Sequence, residues 1–549
     1  MNTQVFAMDE MNKRLQAAPQ QSTGEKKKPA HIDIDAMMRQ KPTAHEPTPE
    51  EIAEINGQPA PIRATSSEPA AAAPVQFREN LPSLQELVKA AQPEKCELDE
   101  LHAGRLLAKI LKPRFRYNST AKKWSAYKAG LWVIDENCTV QRYVKAVIEE
   151  ILAYIAKAQS ENETAKQTAL KFWTRYLQKR NRDIMLDDAQ KEITIPRKEF
   201  DKNMNLLHFT NGTLELDTMT FREHRAADML TKSTRTVYDR TATFPRWNEF
   251  MKQIMPDAAT RTHLQKCFGY ALTGNPCEER FFILYGATTR NGKSTMLESI
   301  ARAFGDFAIT VNPESFATMN RNSSAPSDDI ARIAGTRLLL TAEPKQGMNL
   351  DVAKIKQFTG GDTILARFLH ENSFEFVPSC SIFFNTNHKM RVLDNTLFSS
   401  DRLDLIEFSR HFGREERDTS LKQQFTTEKA QSAIMNWIID GLFLYRKEKL
   451  IPPEQVQNAT DQYAQESDKF TQFVNDCIEA ATDDEYFTLA AAYDRFKIWT
   501  KENGFGTENK TNFNRIMRTK FEETAFWGTK SSIDEKKTTI RGVKGYRLT

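Results

Sequence analysis

Phe281–Tyr285 is an unbroken run of five apolar or aromatic residues; a glycine-bearing polar loop follows, and beyond it Met296, Leu297 and Ile300 recur at helical spacing. That succession predicts a buried strand, a loop and a helix. Downstream, Arg337–Glu343 is apolar in its middle and ends on an acid, which predicts a second strand of the same sheet. Ser381–Asn387 predicts a third, ending on an amide, and a further apolar run lies at Leu405-Ile406 with Phe408 beyond. Between the second and third strands, bulky residues alternate on either side of Glu371-Asn372 and predict a hairpin over Phe368–Phe374. Ser315–Asp329 reads as a polar loop, and Pro245–Tyr270 as a helical lead-in to the first strand.

The same patterns extend to both sides. Leu101, Leu106, Leu107, Ile110 and Leu111 recur at helical spacing, and Trp124–Ile134 alternates bulky residues around Gly130 as a small hairpin does. A long helical stretch over Val140–Arg180 precedes two short strands, Leu206–His208 and Leu214–Leu216, joined by an Asn211-Gly212 turn. Near the C-terminus, helical patterns at Phe470–Ala480, Ala490–Thr500 and Asn512–Lys520 are followed by strands at Thr524–Gly528 and Thr538–Leu548. Three helices and a hairpin suggest a winged helix. The fold class is α/β, in four parts: a tail over 1–95, a mixed α/β domain over 96–235, a lead-in with a catalytic-type core over 236–454, and a winged-helix-like domain over 455–549.

Composition changes this picture at the ends. Eleven of the 22 prolines fall in residues 1–95, with alanines at Ala70–Ala73 and lysines at Lys26–Lys28, so the tail is expected to be disordered. Two pieces of it, His31–Met38 and Leu81–Ala91, have the length to fold on a partner. The net charge of +4 is small for 549 residues, so the distribution of charge has to decide on nucleic acid. Residues 501–549 hold eleven Lys or Arg against six Asp or Glu, and Lys510, Arg515 and Arg518 cluster on or beside the third C-terminal helix, where a DNA-reading helix presents such groups. The six scattered cysteines form no CxxC pair, which speaks against a zinc ribbon or a disulfide framework. With no run of membrane-spanning length and no leader pattern, a cytoplasmic protein is expected.

The chemistry centres on Gly286-Ala287-Thr288-Thr289-Arg290-Asn291-Gly292-Lys293-Ser294-Thr295. Backbone N–H groups of such a loop and the positive end of its helix cradle phosphates; Lys293 reaches the β- and γ-phosphates and the Ser294 hydroxyl holds Mg²⁺. The usual pattern places a glycine six residues before the lysine; here that position is Ala287, and Gly286 comes one earlier. Glu343, at the end of the second strand, is placed to hold Mg²⁺ or polarise the attacking water, and with Ala342 before it one acid covers both roles. Asn387, at the end of the third strand, is placed to bond that water or the γ-phosphate.

Four ordered segments carry a resemblance: Asn291–Ser294, Arg337–Glu343, Lys356…Thr359-Gly360-Gly361-Asp362…Ala366-Arg367, and Asn385–Lys389 with the Arg402 region. With Trp124…Trp132 and Asn211–Leu216, they make residues 96–549 resemble the superfamily-three helicase region of the phage and plasmid primase–helicase family, which includes related poxvirus replication proteins. The resemblance implies an AAA+-like core that hydrolyses ATP with Mg²⁺, Lys293, Glu343 and Asn387 acting as described. It implies a homo-hexameric ring in which Arg402 is a finger for the next subunit's ATP, although the family often has two adjacent arginines where this chain has Asp401-Arg402. The hairpin, with Arg367 and His370, would project into the ring's channel, and Lys389 would touch phosphate. The function so implied is an ATP-driven helicase for phage, plasmid or mobile-element replication, acting on single-stranded and forked DNA. Relatives carry a polymerising domain ahead of the matched segment, which 95 proline-rich residues cannot hold; a separate primase or initiator is then the expected partner. The other reading is an ATP-gated origin-binding or assembly platform that does not unwind.

Overall fold

The computed structural model describes residues 81–549 apart from 160–161, 319–327, 369–372, 393, 395, 483, 507, 522–525 and 534–535. His370 and the hairpin tip, most of the loop expected over Ser315–Asp329, and the tail up to residue 80 lie outside the described residues.

The chain is folded ahead of Cys96, which corrects the expected extent of the tail. Leu84–Ala91 is a helix whose Ser83 and Glu86 form a reciprocal capping box, and its Val88 is fully buried beside Leu107, Val144 and Trp173. The helices Glu100–Leu111, Thr139–Lys157, Glu163–Thr174 and Lys179–Glu192 share this core with a four-stranded sheet. Lys123–Lys128 pairs with Leu131–Ile134 as the hairpin pattern predicted, while Phe115–Asn118 and the two-residue Thr194–Ile195 add strands on the other side. A separate antiparallel sheet, Leu206–Phe209, Gly212–Glu215 and Thr220–Arg222, buries Leu207, Phe209 and Leu214 in the core of the next unit. The segment after this sheet also bonds back to the preceding unit: the Trp132 N–H donates to the Leu230 carbonyl at 2.8 Å.

The central sheet is parallel throughout. Its strands are β1 (Phe281–Tyr285), β2 (Ala308–Val311), β3 (Leu338–Thr341), β4 (Ser381–Thr386) and β5 (Leu403–Glu407), in the spatial order β5-β1-β4-β3-β2. Even positions of β1, Phe282 and Leu284, face one core with helices α1 (Ala258–Ala271), α2 (Lys293–Phe304) and α4 (Glu428–Glu448). Odd positions, Phe281 and Ile283, face a second core with α3 (Val352–Thr359) and α5 (Glu454–Ser467). Burial on both faces is why these strands read as continuous apolar runs rather than alternating ones. Helix α5 belongs to this unit: Tyr463 is buried in the second core and the Thr460 hydroxyl accepts from the Leu405 N–H of β5 at 3.0 Å. The C-terminal unit thus begins after α5, later than residue 455.

Arg337, singled out in the sequence, is a structural fastener. Its guanidinium is buried at the foot of β3, donates to the carbonyls of Leu272 and Leu206 (2.7 Å to the latter), and lies 4.6 Å from the centre of the Phe307 ring. Burial brings its pKa down to about 10, so it stays charged at neutral pH. Arg337→Leu strands two buried carbonyls and is expected to cost about 3 kcal/mol, read as a lower midpoint in thermal unfolding. Arg337→Lys, a point charge without the fork, is expected to recover only part of that loss.

Candidate functional site

Parallel register brings three strand ends to one edge. Thr386 of β4 and Glu407 of β5 both pair with Tyr285 of β1, and Thr341 of β3 pairs with Phe384 of β4. The residues just beyond these ends, Gly286, Asn387 and Glu343, therefore meet at the carboxyl edge of the sheet. Because β4 lies between β1 and β3, Asn387 stands between the loop lysine and the acid. The Lys293 Nζ donates to Asn387 Oδ1 at 2.9 Å, and Asn387 Nδ2 donates to Glu343 Oε1 at 2.6 Å.

The loop between β1 and α2 is shaped for close approach. A Cβ at Gly286 would stand closer than 3.0 Å to Lys293 Nζ and to the Asn291 amide, so a side chain here would push both from their present places. Ala287, where the usual pattern has glycine, is exposed. Asn291 is buried and ties the loop to itself through Nδ2 to the Thr288 carbonyl, 2.6 Å. Thr288, Thr289, Arg290 and Ser294 are exposed around the concavity, and Thr295 is half-buried in the first turn of α2. Burial pulls the Lys293 pKa down to about 8, opposed by the Glu343 carboxylate. A buried lysine, an amide and a carboxylate at the head of a helix can bind a polyphosphate and orient a water against it.

The remaining sequence candidates are dispersed. Arg402 sits at the opposite edge, where its carbonyl accepts from the Phe281 N–H. Its Nη1 donates to Thr359 Oγ1 at 2.9 Å and its Nη2 pairs with Glu279. The length of β1, about 16 Å, separates it from its own phosphate loop. The hairpin is present: Ile364–Ala366 pairs with Phe374–Phe376, Arg367 is exposed at its neck, and Phe368 and Phe374 stack with centroids 5.7 Å apart. Arg197 of the preceding domain lies over both rings, at 5.1 and 4.3 Å. Lys389 pairs with Glu466 at 2.6 Å and lies over the Tyr285 and Tyr463 rings.

In the C-terminal unit, Lys469–Cys477, Leu489–Glu502 and Lys510–Lys520 pack through Phe473, Phe496, Phe513 and Met517. Arg515 and Arg518 are exposed on the last helix and Lys510 opens it. Strands Phe526–Ile533 and Lys536–Lys544 form a hairpin beside it, longer than the sequence pattern indicated.

Two features went unread in the sequence. His411 and Phe412, in the segment after β5, contact the phosphate loop, and no local pattern announces a contact across more than a hundred residues. His263, Cys267 and Asp404 form a buried cluster in which the Asp404 carboxylate already accepts from His263 and from Arg280, each at 2.9 Å. Arg280 supplies a positive charge beside that carboxylate.

A five-stranded parallel sheet with a glycine-bearing loop and a helix at its carboxyl edge is consistent with a P-loop core. Comparison with known proteins takes this further. Residues 104–256 match the family described as D5 N terminal like, and residues 284–402 match a family of unknown function, DUF5906. The chain thus carries, in order, the regions typical of viral and phage primase–helicases. Among curated relatives, "Putative helicase L207/L206" of Acanthamoeba polyphaga mimivirus is 26% identical over 73% of this chain and 46% of its own length. "Putative helicase V13" of Sputnik virophage is 23% identical over 70% of this chain and 52% of its own. "Putative helicase 022R" of Frog virus 3 is 23% identical over 46% and 28% respectively. The chain spans about half or less of the length of these relatives. The apo A form of the NrS-1 C-terminal region covers 82% of this chain and 100% of that one with a TM-score of 0.43 and 10% identity, a likeness too low to bear on function. Among the described residues no helix is long and apolar enough to cross a membrane.

Proposed function

We propose that the chain is an ATP-dependent DNA helicase of viral or mobile-element replication, with the superfamily-three, AAA+-like architecture that the sequence resembles. The observation that carries this is the continuous Lys293–Asn387–Glu343 hydrogen-bonded chain, drawn from three adjacent strands. Lys293 neutralises the β- and γ-phosphates, Asn387 reports the γ-phosphate, and Glu343 orients the attacking water. Ser294 and Glu343, an all-oxygen pair exposed beside the loop, suit Mg²⁺, which would screen the phosphate charge. Arg402, about 16 Å from its own loop, serves the ATP of a neighbouring subunit, which supports a ring. The hairpin neck with Arg367 and the exposed Lys510, Arg515 and Arg518 contact the DNA backbone, the latter from a winged helix. Lys389, paired with Glu466 as Arg402 is with Glu279, is a further candidate for touching phosphate. The names of the viral relatives support the activity.

The exposed basic helix of the C-terminal unit also favours a second reading, an ATP-gated platform bound at one sequence. Steady-state ATP hydrolysis with and without single-stranded DNA, run beside strand release from forked duplexes, separates the two. Stimulated hydrolysis with release is expected. Stimulated hydrolysis without release on forks of either polarity selects the platform, and hydrolysis indifferent to DNA overturns the nucleic-acid reading.

A further inference from the structure

The phosphate loop is held from outside. Arg290 and Gly292 adopt left-handed backbone, at φ of 57° and 82°. Alternation of right- and left-handed residues turns successive N–H groups the same way, into a concavity that takes anions. A trans peptide sets each carbonyl antiparallel to the N–H that follows it, and the described residues contain no cis bond. Whatever binds the carbonyls of Thr289 and Arg290 therefore decides where the N–H groups of Arg290 and Asn291 point.

The segment after β5 binds both. The Thr289 carbonyl accepts from His411 Nδ1 at 2.8 Å, and the Arg290 carbonyl accepts from the Phe412 N–H at 2.9 Å. A carbonyl can only accept, so His411 carries its proton on Nδ1. The segment is itself fastened: Glu416 pairs with Arg410 and accepts from the Gly413 N–H at 2.9 Å, closing a loop around His411. An exposed, non-glycine residue in left-handed backbone is costly to keep unless its surroundings fix it.

We infer that His411 is a positioning residue for triphosphate binding: by drawing the Thr289 carbonyl outward, it aims the Arg290 and Asn291 N–H groups at the phosphates. Phe412 does the same through its backbone. The segment that follows β5 is thus part of the nucleotide site although no side chain of it needs to touch nucleotide. This rests on the phosphate-loop reading above.

The test measures MgATP and MgADP affinity and the kcat at saturation for the intact protein, for His411→Ala and for His411→Asn, whose amide nitrogen stands where Nδ1 stood; Lys293→Ala is the reference. Losing one aimed hydrogen bond and loosening two more should weaken both nucleotides about tenfold in His411→Ala. The kcat should stay within about threefold of wild type, and His411→Asn should recover most of the affinity. Unchanged affinity in His411→Ala, a loss confined to kcat, or an equal loss in both variants would overturn the inference. A lower unfolding midpoint with affinity intact would overturn it as well, since that is the mark of a merely structural contact. If wild type and Lys293→Ala bind MgATP equally poorly, the phosphate-loop reading itself has failed, an outcome distinct from all the others.

Discussion

Lys293→Ala is expected to lower kcat for ATP hydrolysis by about 10²–10³ while leaving the protein folded. Removing a charge that burial already disfavours should not lower the unfolding midpoint, and that separates chemistry from collapse. The wild-type lysine also predicts a pH dependence. Burial leaves its pKa at about 8 in the nucleotide-free protein, so half of the molecules lack the ammonium at that pH. A triphosphate stabilises the charged form and raises the pKa in the complex. Between the two values the protein must take up a proton to bind, so affinity falls as pH rises and is constant well below pH 8. From pH 7 to pH 9 the loss should be about tenfold. Isothermal titration in two buffers of different ionisation enthalpy reads the proton uptake directly. A flat affinity from pH 7 to 9 in wild type would show that binding takes up no proton there, against a depressed Lys293 pKa that the phosphates raise.

Arg402→Ala is expected to bind ATP with near-normal affinity and to lose about 10³ in kcat. Geometry motivates the split: Arg402 lies at the foot of β5, bonded to Thr359 and Glu279, at the edge opposite its own Lys293. In the proposed ring, a side chain so placed reaches the triphosphate of the neighbouring subunit across a head-to-tail interface. Mixing supplies the decisive measurement. Arg402→Ala subunits keep an intact loop, and Lys293→Ala subunits keep an intact arginine. In equal random mixtures a given site has both parts about one time in four, so about a quarter of wild-type hydrolysis should return. No recovery from preparations shown to exchange subunits would remove the shared site. Recovery should be absent if either protein is mixed only with itself.

The elements that the sequence made legible are those whose signal is local. Phe281–Tyr285, Leu338–Thr341 and Ser381–Thr386 announce themselves because a strand buried on both faces reads as a run of apolar residues rather than an alternation. Gly292-Lys293-Ser294 follows directly from the first of them. The edge strand Ala308–Val311 was not legible; it is short, and only Val311 is fully buried. Thr194–Ile195 is a strand only because Phe115–Asn118 lies beside it. Strand order is likewise a property of pairing across the chain, and it alone puts Asn387 between Lys293 and Glu343. The same reason hid the His411 contact with Thr289 and the partners of Arg402. Lys389 follows the third strand, and its pairing with Glu466 of α5, far along the chain, was hidden for the same reason. Helix α5 fell on the wrong side of a boundary because its apolar positions match β5 rather than the helices that follow it in the chain.

The spatial order β5-β1-β4-β3-β2 also sets a timetable for synthesis. On a ribosome, β1 emerges first, yet both strands that flank it, β4 and β5, are made about a hundred residues later. Throughout that interval Phe281, Phe282, Ile283 and Leu284, all fully buried in the finished protein, have no sheet partner. Chains released between residues 286 and 380 would carry a bare apolar strand with both edges open, the kind of segment that aggregates or recruits chaperones. The candidate site therefore comes into existence late and in steps: β4 brings the Lys293–Asn387 contact, and only β5 and the segment after it close the sheet and reach the loop carbonyls.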